Sequence, residues 1–145
     1  MHQPEAGPEI GAVAERLHRG ALLLLRDLRL ADAESGLGPA RLSALSVLVF
    51  GGPRSLGELA AAEQVTPPTM TRVVQGLEAQ GLVARRPDPA DGRRVVLRAT
   101  PRGRRSMLAA RERRLKRLRA KLARLSKRDL GLLSRAAERI EILSR

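Results

Sequence analysis

One segment, residues 66–80, carries small polar side chains at spacings that suit hydrogen bonding to a ligand. It starts with Thr66-Pro67, a good helix N-cap followed by proline, and it stops before Gly81, so we predict a helix. At about 100° per residue the apolar side chains share one face, and the opposite face is polar with a single arginine. Hydroxyls near a helix N-terminus, where free amides and the helix dipole favour an anion, suit contact with phosphates. The candidate contact residues are Thr66, Pro68, Thr69, Thr71, Arg72 and Gln75.

A second polar cluster lies in loop 87–94, which two segments of strand composition flank. The pattern predicts a β-hairpin whose tip carries Arg93 and Arg94. Asp88 and Asp91 would weaken phosphate binding by charge repulsion. We therefore interpret the two aspartates as partners that hold one of these arginines in a single rotamer. The arginine could then enter a narrow minor groove of duplex DNA without losing further conformational entropy. A plain turn-forming role for the second aspartate is the alternative, and it is compatible with this interpretation.

The formal net charge of +13 is concentrated in one stretch. Residues 85–121 carry 15 basic and 3 acidic side chains, whereas residues 1–84 carry 7 and 9. A localised basic block is typical of a protein that binds a polyanion, because each cation near a phosphate releases condensed counterions. The alternative is a charged face kept for solubility, and we interpret the basic residues beyond Arg114 as such a solvated face. Further phosphate candidates are Ser55, Arg102, Arg104 and Arg105.

The missing residue types exclude several functions. Without cysteine there is no disulfide, thiolate zinc site or cysteine nucleophile, and His2 and His18 are too few for a His-rich metal site. No nucleophile and base pair, phosphate loop or carboxylate dyad is visible, so we expect neither an enzyme nor a cofactor. The single aromatic residue, Phe50, argues against a stacking platform for single strands, so we expect any nucleic-acid partner to be duplex. We expect the Phe50 ring to lie in the core. With no apolar run of membrane-span length and no signal peptide, we expect a cytoplasmic protein.

Helical periodicity and turn signals predict a single domain over residues 1–145, mainly α, with about six helices and the hairpin as a small β wing. The first helix is apolar on more than one side, and the long helix after the hairpin has a leucine seam typical of helix packing. Both features predict dimerisation. The seam consists of Leu108, Leu115, Leu118, Leu122 and Leu125. Predicted helices cover 9–33, 40–49, 56–63, 66–80, 100–125 and a segment from 126, with strands at 82–86 and 95–99. We assign residues 40–100 to a winged helix-turn-helix, and residues 9–33 and 101–145 to a helical dimerisation part.

Several motifs in register resemble the MarR family of bacterial transcriptional regulators. They are Val65-Thr66-Pro67-Pro68-Thr69-Met70-Thr71-Arg72-Val73-Val74, Leu77-Glu78, Gly81-Leu82-Val83, Asp88-Pro89-Ala90-Asp91-Gly92-Arg93-Arg94 and Leu97-Arg98-Ala99-Thr100. The resemblance covers about residues 56–103. It implies a homodimer with intertwined first and last two helices, and two winged domains set for consecutive major grooves of a pseudo-palindromic operator. By motif position, Arg93 would be the wing arginine, braced by Asp91 or Asp88, and the recognition-helix contacts would be Thr66, Pro68, Thr69, Thr71 and Arg72.

The resemblance also implies a repressor that a small, often anionic aromatic ligand relieves by binding where the dimerisation helices meet the winged domain. Candidate ligand contacts are His18, Arg19, Arg26 and Arg41. A lone histidine beside an apolar stripe is more often a packed or surface residue than a ligand contact. A pocket with few aromatic walls would bind planar ligands weakly, so a repressor without a ligand stays open. Thiol-oxidation sensing is excluded because it needs cysteine, and metal sensing because it needs a ligand cluster. An architectural, sequence-tolerant protein that binds duplex DNA is the alternative function.

Overall fold

Six α-helices and one antiparallel hairpin make up the computed structural model, which describes residues 8–144. The helices are α1 (Pro8–Arg29), α2 (Pro39–Gly51), α3 (Leu56–Ala62), α4 (Pro67–Ala79), α5 (Pro101–Leu122) and α6 (Lys127–Leu143), with a 3-10 helix (Leu30–Ser35) between α1 and α2. The strands are β1 (Val83–Pro87) and β2 (Val95–Ala99). The predicted mainly helical fold with a β wing is thereby confirmed. His2 and the region searched for a signal peptide lie outside the described residues.

The hydrophobic core lies where α2, α3, α4 and the base of the hairpin meet. Leu45 of α2, Leu59 of α3 and Leu77 of α4 are completely buried there. Only one face of α4 enters this core, through Met70, Val74 and Leu77, so the opposite face of the helix is left to solvent. The two short helices α3 and α4 pack on each other and on α2.

Local sequence signals set the helix ends around the candidate site. Ser55 and Glu58 form a capping box, in which Glu58 N donates to Ser55 Oγ (3.2 Å) and Ser55 N donates to Glu58 Oε2 (2.8 Å). Gly81 follows α4 with a φ of 67°, the left-handed stop that was predicted. Thr100 Oγ1 accepts from Gly103 N (3.0 Å) and donates to Gly81 O (2.6 Å). The start of α5 is therefore tied to the end of α4.

The hairpin begins with Val83 opposite Ala99, in the predicted antiparallel arrangement. A further bridge joins Arg54 to Leu97 of β2 through two backbone hydrogen bonds, Arg54 N to Leu97 O (3.2 Å) and Leu97 N to Arg54 O (2.7 Å). Because Arg54 immediately precedes the capping box, this bridge fixes the wing against the start of α3. A single bridging residue has no strand periodicity, so the sequence did not predict it.

Two predicted helix ends lie too far along the chain. The first helix ends at Arg29 and continues as a 3-10 helix rather than running to residue 33, and the long helix ends at Leu122 rather than near residue 125. The buried side of α5 also differs from the leucine seam, because Leu108 is 40% exposed. The buried residues of α5 are Gly103, Met107 and Ala110. Leu115, Leu118 and Leu122 of the seam are half-buried, and the hydrophobic core includes none of the seam leucines.

Large apolar side chains lie on the surface of α1 and α6. Leu22 to Leu25 of α1 are 44–57% exposed, and α6 contains no buried residue along Lys127–Leu143. Phe50 is 57% exposed near the end of α2, so the prediction that its ring lies in the core is wrong. Within residues 8–144, none of the helices combines the length and the apolar composition that crossing a membrane would need.

Candidate nucleic-acid interface

The predicted recognition helix is α4, and its exposed face is the one that the sequence indicated. Met70, Val74 and Leu77 are buried, while Arg72 and Gln75 on the opposite side are exposed. Thr66, Pro68 and Thr69 at the start of the helix are exposed as well, and Thr71 is half-buried. The structure thus brings the six predicted recognition-helix residues onto one helix and its N-cap, with the polar side chains accessible.

The threonine hydroxyls near the N-terminus of α4 are organised differently from a simple cap. Thr66 occupies the N-cap position, but its side chain makes no capping hydrogen bond. Its Oγ1 lies 2.9 Å from Thr69 Oγ1 in an exposed hydroxyl pair. Thr71 Oγ1 donates to the carbonyl oxygen of Pro67 (2.9 Å), which fixes its rotamer. Because a hydroxyl oxygen has two lone pairs and one proton, all three retain capacity for a DNA partner.

The two aspartates of the wing shape its backbone. Asp88 Oδ1 accepts from Ala90 N (3.0 Å), and Asp91 Oδ1 accepts from Arg93 N (3.1 Å). These are the side-chain to backbone bonds of Asx turns, so the turn-forming role left open by the sequence is present. The expectation that Asp88 or Asp91 braces the Arg93 guanidinium is wrong, because Arg93 is exposed and forms no ion pair with any described residue. Its side chain is free to enter a groove.

Of the two arginines at the wing tip, Arg94 is the one held by acidic groups. Its guanidinium donates to Glu58 Oε1, and Asp88 Oδ2 lies 4.0 Å from its Nη1. Glu58 is at the same time the capping-box residue of α3, bonded to Ser55 N. The bond from Ser55 N, together with the bond from Arg94, lowers the pKa of Glu58 from 4.5 to about 2, so the carboxylate stays charged.

Sequence reasoning missed Glu58 as a site residue. The capping box was visible as Ser55-Leu56-Gly57-Glu58, but Glu58 and Arg94 are 36 positions apart and no local pattern joins them. Ser55, predicted as a phosphate contact, is half-buried and engaged in the cap through both its backbone and its hydroxyl. The capping box of Ser55 and Glu58 therefore serves first to position the wing, through the bond from Arg94 to Glu58.

Three further arginines predicted as phosphate contacts follow the wing at the start of α5. Arg102, Arg104 and Arg105 are exposed, and none of them forms an ion pair with a described residue. They lie on the two turns of α5 that Thr100 anchors to the end of α4. Cations without internal partners on an anchored helix start are suited to phosphate contact, because their charge is not already neutralised.

The middle of α5 uses its basic residues differently from the prediction. Arg114 forms two 2.6 Å hydrogen bonds with Asp32, and Arg117 donates to Asp27 through two bonds of 3.0 and 2.7 Å. Lys121 Nζ lies 3.2 Å from the same Asp27. The hydrogen bond from Arg117 lowers the pKa of Asp27 and keeps it ionised. Beyond Arg114, the interpretation as a solvated face is therefore wrong for Arg117 and Lys121, which bind α5 to α1.

The four predicted ligand contacts lie on two different elements. His18, Arg19 and Arg26 are exposed on α1. Arg41 is half-buried on α2 and packs over Gly76 of α4, where a Cβ would come closer than 3.0 Å to its guanidinium. Together with Arg72 it lines a groove of about 290 Å³. Arg41 therefore lies beside the recognition helix, where glycine at position 76 makes room for it.

Known proteins share both the sequence pattern and this architecture. Residues 35–94 match the sequence model of the MarR family. The HTH-type transcriptional regulator MT0903.1 of Mycobacterium tuberculosis is 36% identical over 126 residues, which cover 87% of this chain and 88% of that protein. A MarR family protein from Bacillus stearothermophilus has a TM-score of 0.81 at 23% identity, covering 94% of this chain and 96% of its own. The transcriptional regulator Tm0710 from Thermotoga maritima has a TM-score of 0.77 at 26% identity, covering 92% and 94%. The chain belongs to the MarR family of DNA-binding transcriptional regulators with a winged helix-turn-helix fold.

Proposed function

We propose that the protein is a homodimeric repressor that binds a pseudo-palindromic operator through α4 and the wing. The observation that carries this proposal is the division of α4 into a buried apolar face and an exposed face of hydroxyl, amide and single guanidinium groups. Such groups can approach base edges in the major groove, while Arg93 at the wing tip reaches the adjacent minor groove. Arg102, Arg104 and Arg105 then supply contacts to the phosphate backbone.

Dimerisation is supported by the apolar surfaces that one chain leaves uncovered. Residues 40–100 form the winged part, and residues 9–33 and 101–145 the dimerisation part of the proposal. Within the latter, α1 exposes Leu22 to Leu25, and α6 exposes Leu130, Leu133 and Ile140 at 37–47%. Leaving so many large apolar side chains in water is unfavourable, at about 25 cal/mol for each Å² that a partner could cover. A second copy that intertwines α1, α5 and α6 would cover them.

Relief of repression by a ligand is supported by a small cavity between the two parts. A space of about 180 Å³ lies where α1, the 3-10 helix, α2 and α5 meet. It is lined by Leu25, Arg29, Asp32, Pro39, Leu42, Ser43, Ser46 and Arg114. An acidic ligand could bond Arg29 and compete with Asp32 for Arg114, which would loosen a link between α5 and the 3-10 helix. The ligand we propose is therefore a small carboxylic acid.

The test begins with a pool of genomic fragments passed over the immobilised protein, followed by sequencing of the retained DNA. We expect one pseudo-palindromic sequence to be enriched, and its affinity to exceed that of random duplex by roughly a thousandfold or more at physiological salt. Equal retention of random DNA would contradict the repressor proposal and favour the architectural alternative. Light scattering at micromolar concentration tests the dimer separately, since a monomer there would contradict it.

A further inference from the structure

A second and larger cavity lies on the outer side of the junction between the 3-10 helix and α5. It has a volume of about 550 Å³, within the range of about 300–1,000 Å³ typical of small-molecule sites. Its charged lining comprises five cations and one carboxylate. These are Arg113, Lys116, Arg117, Lys121, Arg124 and Glu34. The cavity is distinct from the small space beside Arg114 and from the DNA-contact residues of α4 and the wing.

The cations of this cavity are only partly neutralised within the described chain. Arg117 and Lys121 share the single carboxylate of Asp27. Arg113 Nε lies 3.9 Å from Glu34 Oε2, beyond hydrogen-bond distance, and the Glu34 side chain is 76% exposed. Lys116 and Arg124 form no ion pair with any residue between 8 and 144. Several like charges around one concavity raise each other's energy, and a bound anion would relieve that repulsion.

The cavity and the leucines of α5 lie on opposite sides of that helix. At about 100° per residue, the α5 residues that line the cavity fall within about 70° of one direction on the helix. The leucines of the seam within α5, Leu108, Leu115, Leu118 and Leu122, centre on the opposite direction. A partner chain packed against these leucines therefore covers the side of α5 opposite the cationic cavity.

We infer that this cavity binds a small multivalent oxyanion, carrying either phosphate or carboxylate groups. Its concave shape favours a small molecule over duplex DNA, which is usually met by protruding helices and hairpins. Arg113 contributes a guanidinium charge whose buried Nε has no hydrogen-bond partner among the described residues, and Lys116 and Arg124 supply ammonium and guanidinium charge. These are the groups that bind phosphates and carboxylates. The inference concerns binding alone, so it does not depend on repression or on the small cavity beside Arg114.

The test measures binding of inorganic pyrophosphate and of citrate by isothermal titration calorimetry at low ionic strength. The full chain is compared with the double variant Lys116→Ala/Arg124→Ala, which spares the ion pairs to Asp27. The matched control is Arg128→Ala/Arg135→Ala, which removes two exposed cations of α6 from the side opposite Leu130, Leu133 and Ile140. We expect saturable binding by the wild type, an affinity about tenfold or more lower in the cavity variant, and little change in the control.

Binding of both anions would support selection by charge, and binding of pyrophosphate alone would support a phosphate ligand. Absence of saturable binding by the wild type, or equal losses in the two double variants, would overturn the inference. A different outcome is that the cavity variant binds both anions as tightly as the wild type does and binds operator duplex more weakly than the control variant does. That result would assign these cations to the DNA backbone. Circular dichroism checks the fold, and Lys116→Gln/Arg124→Gln, with longer polar side chains, replaces the alanine variant if that one unfolds.

Discussion

Gly103 is the position where one added methyl group should most disturb the joint between the wing and α5. The residue is buried in the first turn of α5, and a Cβ there would lie 2.9 Å from the carbonyl carbon of Leu82 and nearer still to its oxygen. Real Cβ atoms essentially never come within 3.0 Å of such neighbours. Because backbone lies on both sides of the contact, no side chain can rotate away. Gly103→Ala must therefore displace α5 from the segment that leads into β1.

Opposing effects set the size of the loss. Alanine in place of glycine favours a helix by up to about 1 kcal/mol, whereas forcing an extra group into a packed site costs typically about 1–3 kcal/mol. The displacement also strains the bonds from Thr100 N to Leu82 O (3.0 Å) and from Thr100 Oγ1 to Gly81 O (2.6 Å), each worth about 1 kcal/mol. We expect Gly103→Ala to lower the free energy of unfolding by about 1–3 kcal/mol. Urea denaturation at one fixed protein concentration measures it, since dimerisation makes stability concentration-dependent.

Gly76→Ala is the matched control. Its Cβ would also lie closer than 3.0 Å to another group, but that group is the end of the flexible Arg41 side chain. Arg41 can move, so the control should keep or slightly gain stability through helix propensity. Gly103→Ser, which introduces the same Cβ, should lose stability as Gly103→Ala does. The reasoning would be refuted if Gly103→Ala had the same urea midpoint as the wild type, or if Gly76→Ala lost as much unfolding free energy as Gly103→Ala.

Three further predictions concern the DNA interface. Arg93→Ala should lower the steepness of log affinity against log salt by about 0.9 for each phosphate that the side chain neutralises in the wild type. An unchanged slope in salt titrations would show that Arg93 does not contact the DNA backbone. Arg72→Ala should narrow the ratio of operator to random-duplex affinity in competition assays, and a preserved ratio would show that Arg72 reads no base. Glu58 has a folded pKa of about 2 against 4.5, so its contribution to stability is complete above pH 4.5 and is lost as the pH falls towards 2. The stability difference between wild type and Glu58→Gln should shrink over that interval, and a constant difference in acid melting curves would contradict the assignment.

Features encoded within a few neighbouring residues could be predicted from the sequence. The Ser55 capping box, the Gly81 stop and the Thr100 cap all depend on groups at most three or four positions apart, and each is present. The exposed face of α4 followed from helical periodicity alone. The same reasoning predicted a helix-capping role for Thr66, whose hydroxyl instead pairs with that of Thr69. The type of a residue determines which groups its side chain can bond, but not which of two nearby partners it bonds.

Contacts between distant segments could not be predicted in this way. Glu58 and Arg94 are 36 positions apart, and Arg117 and Asp27 are 90 positions apart. Both pairs exist because the fold brings α3 to the wing and α1 to α5, and neither partner's local sequence indicates the other. The prediction for Phe50 failed for a related reason, since an aromatic residue is usually buried but the end of α2 faces outward in this chain.

The basic block of residues 85–121 separates into groups with different physical roles once its partners are known. Asp27 and Asp32 belong to the slightly acidic first 84 residues, and they neutralise Arg114 and Arg117, so these two arginines stabilise the packing of α5 on α1 and the 3-10 helix. Arg93 and the three arginines at 102, 104 and 105 have no such partner among the described residues. Counterion release on binding DNA requires cations that the protein has not already paired. We therefore expect these four arginines, in the wing and the first turns of α5, to contribute more to the electrostatic part of DNA affinity than Arg114 and Arg117 do.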